Sequence, residues 1–165
     1  MITVVSDTHG RDSHRLTDHA LSAIREATLV LHAGDFVTES VLDAFEAEST
    51  RFAGVTGNND SSTLRERLPV AQTVEYEGTR IALVHGHEHT DTGLALFGQQ
   101  ENADLLVVGH SHRPSFRYIG DLPVLNPGSH ADPRWYRPAY AELELDPFRG
   151  RLIEPDGTLI DTFTV

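Results

Sequence analysis

Asp7 and His9 stand two apart where a β-branched run, Ile2–Val5, gives out. In extended chain, residues two apart project to the same side, so a carboxylate and an imidazole are presented together. Both are ligands for divalent cations of the first transition row. Taken alone, an Asp-x-His triplet reads equally well as a turn, but the pattern recurs. Four further apolar runs stop at groups of the same kind: Leu29–Leu31 before Asp35, Arg51–Val55 before Asn58, Arg80–Val84 before His85, and Leu105–Val108 before His110 and His112. Gly10, Gly34, Gly57, Gly86 and Gly109 each lie beside one of these residues, where glycine permits tight turns and close backbone approach.

The set holds three carboxylate or amide oxygens and four imidazoles, seven residues in all. One cation takes about four to six ligands, so this number suits two cations that share a carboxylate. The mixture of oxygen and nitrogen donors suits Mn²⁺ first, with Ni²⁺, Fe or Zn²⁺ as alternatives; a magnesium-only site would use fewer imidazoles. Two such cations roughly 3.5–4 Å apart clamp an in-line displacement at phosphorus, acidify a shared water into the nucleophile and take up charge on the phosphoryl oxygens.

The elements that must bring these groups together are legible in the hydrophobic pattern. Leu16, Ala20, Ala23, Ile24 and Ala27 recur at helical spacing, with Asp12 or Ser13 as the expected cap. Val41, Leu42 and Phe45 mark a second helix with Thr38 at its N-cap, and Thr92–Glu101 a third with Leu94 and Phe97 on one face. The opening order is β-α-β-α-β, which implies parallel strands with right-handed crossovers. Thr73–Tyr76 and Arg80–Val84 flank Glu77-Gly78 as a hairpin. Leu105–Val108 reads as a strand buried on both faces. Ser115–Ile119, Leu122–Leu125, Tyr140–Leu145, Arg151–Ile153 and Thr158–Val165 read as short antiparallel strands. The expected fold class is α/β: two mixed sheets packed as a sandwich and flanked by helices, in one domain over residues 1–165. Ligands of open α/β sheets gather outside the carboxyl ends of the strands, which is where every candidate lies.

Composition narrows the function classes. The chain has 165 residues, no cysteine and no apolar run approaching a membrane span, so disulfide frameworks, thiolate metal sites and membrane partners are not expected. No leader-like segment precedes the first strand, and the cytoplasm is the expected compartment. All 13 basic residues are arginine against 25 acidic ones, a net charge of −12. Such a surface repels nucleic acid, making stable nucleic-acid binding unexpected, and a lysine-free acidic chain suggests a high-salt environment. A homo-oligomer is compatible with all of this.

The motifs Asp7-Thr8-His9, Gly34-Asp35, Gly57-Asn58-Asn59-Asp60, His85-Gly86-His87 and Gly109-His110-Ser111-His112 stand in an order that resembles the calcineurin-like metallophosphoesterases. With Asn126-Pro127-Gly128-Ser129, Asp132-Pro133-Arg134 and Tyr140–Leu145, the resemblance is to the small single-domain prokaryotic phosphodiesterases and spans nearly the whole chain. It implies a sandwich flanked by helices and two divalent metal ions. Asp7, His9, Asp35 and His112 would hold one; Asp35, Asn58, His85 and His110 the other, with Asp35 bridging. The substrate implied is a small phosphoester. Asn59 occupies the position where many members of the family carry a histidine that protonates the leaving oxygen, which an amide cannot do. Asp35, Asn58, Asn59, His110 and His87 are therefore the catalytic candidates, with the acid to come from another histidine or a metal-bound water, or dispensed with for good leaving groups. Arg134 is a candidate to fork onto a phosphate.

Other readings stand beside this one. His32 precedes Asp35 on a buried run and is expected to pack rather than ligate; His14 and His19 are expected in the first helix facing solvent, and His89 at the surface. His85-Gly86-His87-Glu88-His89 resembles the zinc motif of metallo-β-lactamase-type hydrolases superficially but lacks its Asp-His end. A protein-binding scaffold of the same fold would be expected to have lost ligands, and none is missing. A nuclease would need a basic groove. The alternatives to a phosphodiesterase are that scaffold and a phosphomonoesterase or nucleotide phosphatase.

Overall fold

The computed structural model describes residues 1–164. The first half of the chain runs β1 (Ile2–Val5), α1 (Asp18–Glu26), β2 (Leu29–His32), α2 (Glu39–Glu48), β3 (Phe52–Gly54) and α3 (Ser62–Arg67). The second runs β4 (Ala71–Tyr76), β5 (Thr79–Val84), α4 (Asp91–Glu101), β6 (Leu105–Val107), β7 (Ser115–Ile119), β8 (Leu122–Asn126), β9 (Tyr140–Leu145), β10 (Phe148–Ile153) and β11 (Leu159–Thr164). Two sheets form, in the orders β11-β10-β9-β1-β2-β3 and β4-β5-β6-β8-β7.

Strand alternation explains why both sheets are covered twice. Ile2 and Val4 of β1, Leu29 and Leu31 of β2, Ile81 and Leu83 of β5, and Leu105 and Val107 of β6 meet in the core between the sheets. The intervening residues pack outward. Val5 and Val30 lie under α1 and α2 with Ile24, Leu42 and Phe45, while Ala82, Val84 and Leu106 lie under α4 with Leu94. Strands buried on both faces read as continuous apolar runs, as these do.

β1, β2 and β3 are mutually parallel, as are β5, β6 and β8. Val5 is opposite His32, and His32 opposite Gly54, so the loops after these strands leave the sheet side by side. The other sheet delivers the loops after β5, β6 and β8 to the same rim: Gly109 N donates to His85 O at 3.1 Å, and His110 N reaches the Asp7 carboxylate at 3.0 Å.

Several elements differ from their sequence expectation. α1 starts at Asp18 with Thr17 at the N-cap, not at Asp12 or Ser13. The backbone ahead of it is already committed: Leu16 N donates to His14 Nδ1, His14 O accepts from His130 Nε2, and Arg15 has φ 56°. His14 accordingly precedes the helix and is partly buried, 3.9 Å from Glu48. His19 is on the helix, but its Nδ1 lies 2.5 Å from the buried Tyr140 hydroxyl. β8 is not purely antiparallel; it pairs parallel with β6 and antiparallel with β7. α3, capped by Ser61 Oγ accepting from Leu64 N, follows a segment that composition marks only as a turn and cap. β10 begins at Phe148 rather than Arg151, and Val165 of the expected last strand lies outside the described residues. Among the described residues no helix is long and apolar enough to cross a membrane.

Candidate metal centre

Five of the seven candidate ligands sit at φ values that L-residues avoid: Asp7 at 53°, His9 at 45°, Asp35 at 61°, His110 at 65° and His112 at 57°. Each such conformation costs on the order of 1 kcal/mol. The strain is held by bonds between neighbouring loops. Asp7 N donates to Gly34 O at 2.9 Å, His9 N to Asp35 O at 3.1 Å, and Ser129 Oγ to Asp7 O at 2.7 Å. At Asp7, His9, Asp35 and His112 the turn carries the side chain into one gap, while His110 stays at its open side.

The side chains that enter the gap form one cluster. Asp7 Oδ1 is 3.4 Å from His112 Nε2, 3.9 Å from His85 Nε2 and 4.0 Å from His9 Nε2. Asp35 Oδ2 is 3.3 Å from His9 Nε2 and 3.4 Å from His85 Nε2. Two trios, Asp7/His9/His112 and Asp7/Asp35/His85, each close up as a set of metal-ligand atoms. Asp35 lies between His9 and His85, the place of a shared ligand, but Asp7 also stands in both trios, which the resemblance did not imply.

Ring orientation favours a cation. His85 Nδ1 donates to Ala33 O at 2.7 Å, and His112 Nδ1 donates to Asp132 O. With Nδ1 spent on a carbonyl, each ring directs Nε2 at the carboxylates, the arrangement that orients metal-bound histidines. The Nε2 atoms of His9, His85 and His112 are buried and have no hydrogen-bond partner. Three such nitrogens around two buried carboxylates are costly unless a proton or a cation lies among them; the residues therefore fit a divalent metal.

The local field says the same. Burial pushes the Asp7 carboxyl up, against the opposing pull of His85, Ser6 and His112. Burial would also raise Asp35, but His85, His9 and Asn59 outweigh it and hold its carboxyl well below the usual carboxylate range. Asp35 raises His9, and His85 is raised despite burial by Asp35 and Asp7. His110 is lowered, first by burial and then by the nearby His85.

The remaining candidates lie at the open side. His110 Nδ1 is 3.2 Å from Asn58 Oδ1, and both residues are exposed. His87 is also exposed, its ring 5.5 Å from that of His85 and 6.2 Å from that of His110. Asn59 does something its sequence position did not announce: its backbone N–H and its Nδ2 both donate to Asp35, at 2.8 and 2.7 Å. Arg134 is not drawn into the cluster; its ion pair is with Asp132, at 3.9 Å. His32 is fully buried, stacked on Phe36, accepting from Gly34 N and in contact with Thr8 Oγ1. His89 is less superficial than expected, with Nδ1 buried and its ring against Phe97.

Asp60, Asn126 and Ser129, which the sequence offers only as members of motifs, are supports of the site. The Asp60 carboxylate accepts from Asp35 N at 3.1 Å, Gly57 N at 2.7 Å and Val37 N at 2.7 Å, and so ties the loop after β2 to the loop after β3. Burial raises its carboxyl despite these bonds. Asn126 Nδ2 donates to Gly109 O and Ser111 Oγ, bracing the loop that carries His110 and His112. The place of these three supports in the Gly57–Asp60 and Asn126–Ser129 motifs was the advance signal, and it stated no role for them.

Residues 1–147 match the model of the calcineurin-like phosphoesterase superfamily domain. The chain is 35% identical over 150 residues to a probable metallophosphoesterase of Methanothermobacter thermautotrophicus, covering 88% of this chain and 86% of that protein. It is 31% identical over 117 residues to phosphodiesterase YfcE of Escherichia coli, covering 67% of this chain and 62% of that protein. Its fold is similar to that of the Entamoeba histolytica protein Vps29 solved with zinc, at a TM-score of 0.78 and 20% identity over 99% of this chain and 98% of that one.

Proposed function

The chain belongs to the calcineurin-like phosphoesterase superfamily and is a metal-dependent phosphoester hydrolase; from there we propose that it is a phosphodiesterase that works on a small diester with two divalent cations. The observation that carries this is the trio of buried, unpartnered imidazole nitrogens set around Asp7 and Asp35. Asp7, His9, Asp35 and His112 would hold one cation and Asp35, Asn58, His85 and His110 the other. The mixed donors suit Mn²⁺ first, then Ni²⁺, Fe or Zn²⁺. The cations would supply a water acidified near neutral pH and positive charge for the phosphoryl oxygens.

The chain's own residues do the rest. Ala33 O and Asp132 O orient His85 and His112 by accepting their Nδ1 protons. Asn59 holds the Asp35 carboxylate with two donors, which takes it out of contention as a proton donor to the leaving oxygen. His110 is taken up as a ligand, so His87, exposed at the mouth beside it, is the imidazole that can carry that proton. A diester with an acidic alcohol needs the least help there, which favours aryl and other activated diesters. The compartment in this reading is the cytoplasm.

Elemental analysis of the purified chain, paired with kinetics on an aryl phosphodiester and the matching monoester, tests the reading. Two equivalents of a transition metal and a higher kcat/KM on the diester are expected. Asp35→Asn should remove most activity and weaken metal binding while the fold persists. Full activity in that variant would refute the bridging role, and a monoester preference would replace the phosphodiesterase with a phosphatase.

A further inference from the structure

Eight of the 13 arginines pair with carboxylates, among them Arg25 with Glu48, Arg67 with Asp43 and Glu46, Arg80 with Glu75, Arg117 with Asp91 and Arg137 with Glu154. Among the described residues Arg11, Arg15, Arg51, Arg65 and Arg113 have no such partner, and of these Arg11 and Arg15 share a cleft with a residue of the metal centre. Arg11 and Arg15 are both exposed, and among the described residues neither forms an ion pair. They line one cleft of ≈ 380 Å³ with His9, Gly10, Asp12 and Ser13. His9 is also the residue whose Nε2 lies 3.3 Å from Asp35 in the metal centre.

The loop that bears the two arginines is anchored by other groups. Thr38 Oγ1 donates to Arg11 O at 2.7 Å, His130 Nε2 to His14 O at 2.8 Å, and Leu16 N to His14 Nδ1 at 2.9 Å. None of these bonds uses a guanidinium, so both remain available at a fixed loop. Asp12 lines the cleft too, but among the described residues it pairs with neither arginine, and two guanidiniums against one carboxylate leave the cleft cationic in a chain of net charge −12. Guanidinium groups recognise carboxylates and phosphates through paired, charge-assisted hydrogen bonds.

We propose that the cleft of Arg11 and Arg15 is an anion subsite, which takes a second anionic group carried on the alcohol portion of the phosphoester bound at the metal centre. This rests on the phosphodiesterase reading and narrows its substrates to esters whose organic arm ends in a carboxylate or a phosphate.

Calorimetric titration of the metal-loaded full chain with three non-hydrolysable probes tests it: propylphosphonate, 2-carboxyethylphosphonate and ethylenediphosphonate. The probes share a phosphonate and differ at the far end in methyl, carboxylate or phosphonate. An anion-tipped probe is expected to bind about tenfold or more tightly than propylphosphonate, and whichever tip gains more identifies the group. In Arg11→Gln/Arg15→Asn, with Asn chosen because Arg15 lies at φ 56°, the advantage should vanish. Equal affinity for all three probes in the parent overturns the subsite, as does an advantage that survives in the double variant. If an anion-tipped probe keeps its arginine-dependent advantage while no diester is turned over, the phosphodiesterase reading falls and the subsite stands. If no phosphonate binds at all, the subsite falls, and the phosphodiesterase reading is decided by diester turnover.

Discussion

Replacing Asp60 by alanine should uncouple the loops that carry Asp35 and Asn58. The Asp60 carboxylate receives three backbone N–H groups, from Asp35, Gly57 and Val37, and is itself 5% exposed. A buried donor left without its acceptor costs about 1–3 kcal/mol. Water entering the space vacated by the side chain would satisfy one donor or two, and relief of the buried carboxylate, which is already raised by desolvation, offsets part of the remainder. The net loss should be about 2–4 kcal/mol, which for a chain of this length lowers Tm by about 5–15 °C. Asp60→Asn keeps one oxygen that can accept two of the three N–H groups and should lose about half as much. Because the same bonds position Asp35, metal affinity should fall about 10–100-fold in the alanine variant. Thermal unfolding followed by circular dichroism gives the first quantity, and competition with a chromogenic chelator the second. An alanine variant that melts within about 2 °C of the parent and binds metal with unchanged Kd would refute the idea that Asp60 is what joins the two loops.

Three further outcomes follow from other contacts. A Cβ at Gly109 would lie 2.1 Å from Ser6 Oγ and 2.8 Å from Asp7 Oδ2, so Gly109→Ala should cost about 1–3 kcal/mol and weaken metal binding; an unaltered Kd by the same competition assay would contradict it. Burial pushes His130 down to about 4 from 6.5, so the unfolded chain binds more protons between those values and stability should fall as pH drops through them, by about 3 kcal/mol in all. His130→Gln, which can keep the bond to His14 O, should flatten that part of a denaturant-midpoint against pH curve, and an unchanged slope would assign the proton uptake elsewhere. With a net charge of −12, self-repulsion should be screened as the Debye length shrinks from about 10 Å at 0.1 M salt to about 3 Å at 1 M; a Tm that does not rise over that range would count against adaptation to high salt.

The sequence by itself determined the parts whose information is local. Ile2–Val5, Leu29–Leu31 and Leu105–Val107 announce strands buried on both faces because every residue in them is apolar or β-branched. The polar residue types at their ends state the chemistry, and their order carries the family likeness. What it could not express is anything set by residues far apart in the chain. α1 begins late because His130 holds His14 from 116 residues away. Asp7 meets His110 across 103 residues, and His85 is oriented by Ala33 across 52. The left-handed turns at Asp7, His9, Asp35, His110 and His112 are disfavoured locally, so no local rule predicts them. They persist because two packed sheets deliver their parallel strand ends to one rim, where bonds between loops outweigh the strain. The same packing decided that Asn59 clamps Asp35, and that Arg134 pairs with Asp132 outside the cluster while Asp7 stands in both ligand trios. Side-chain type is written in the chain, but the direction in which a ring nitrogen points is set by whichever carbonyl the fold places behind it.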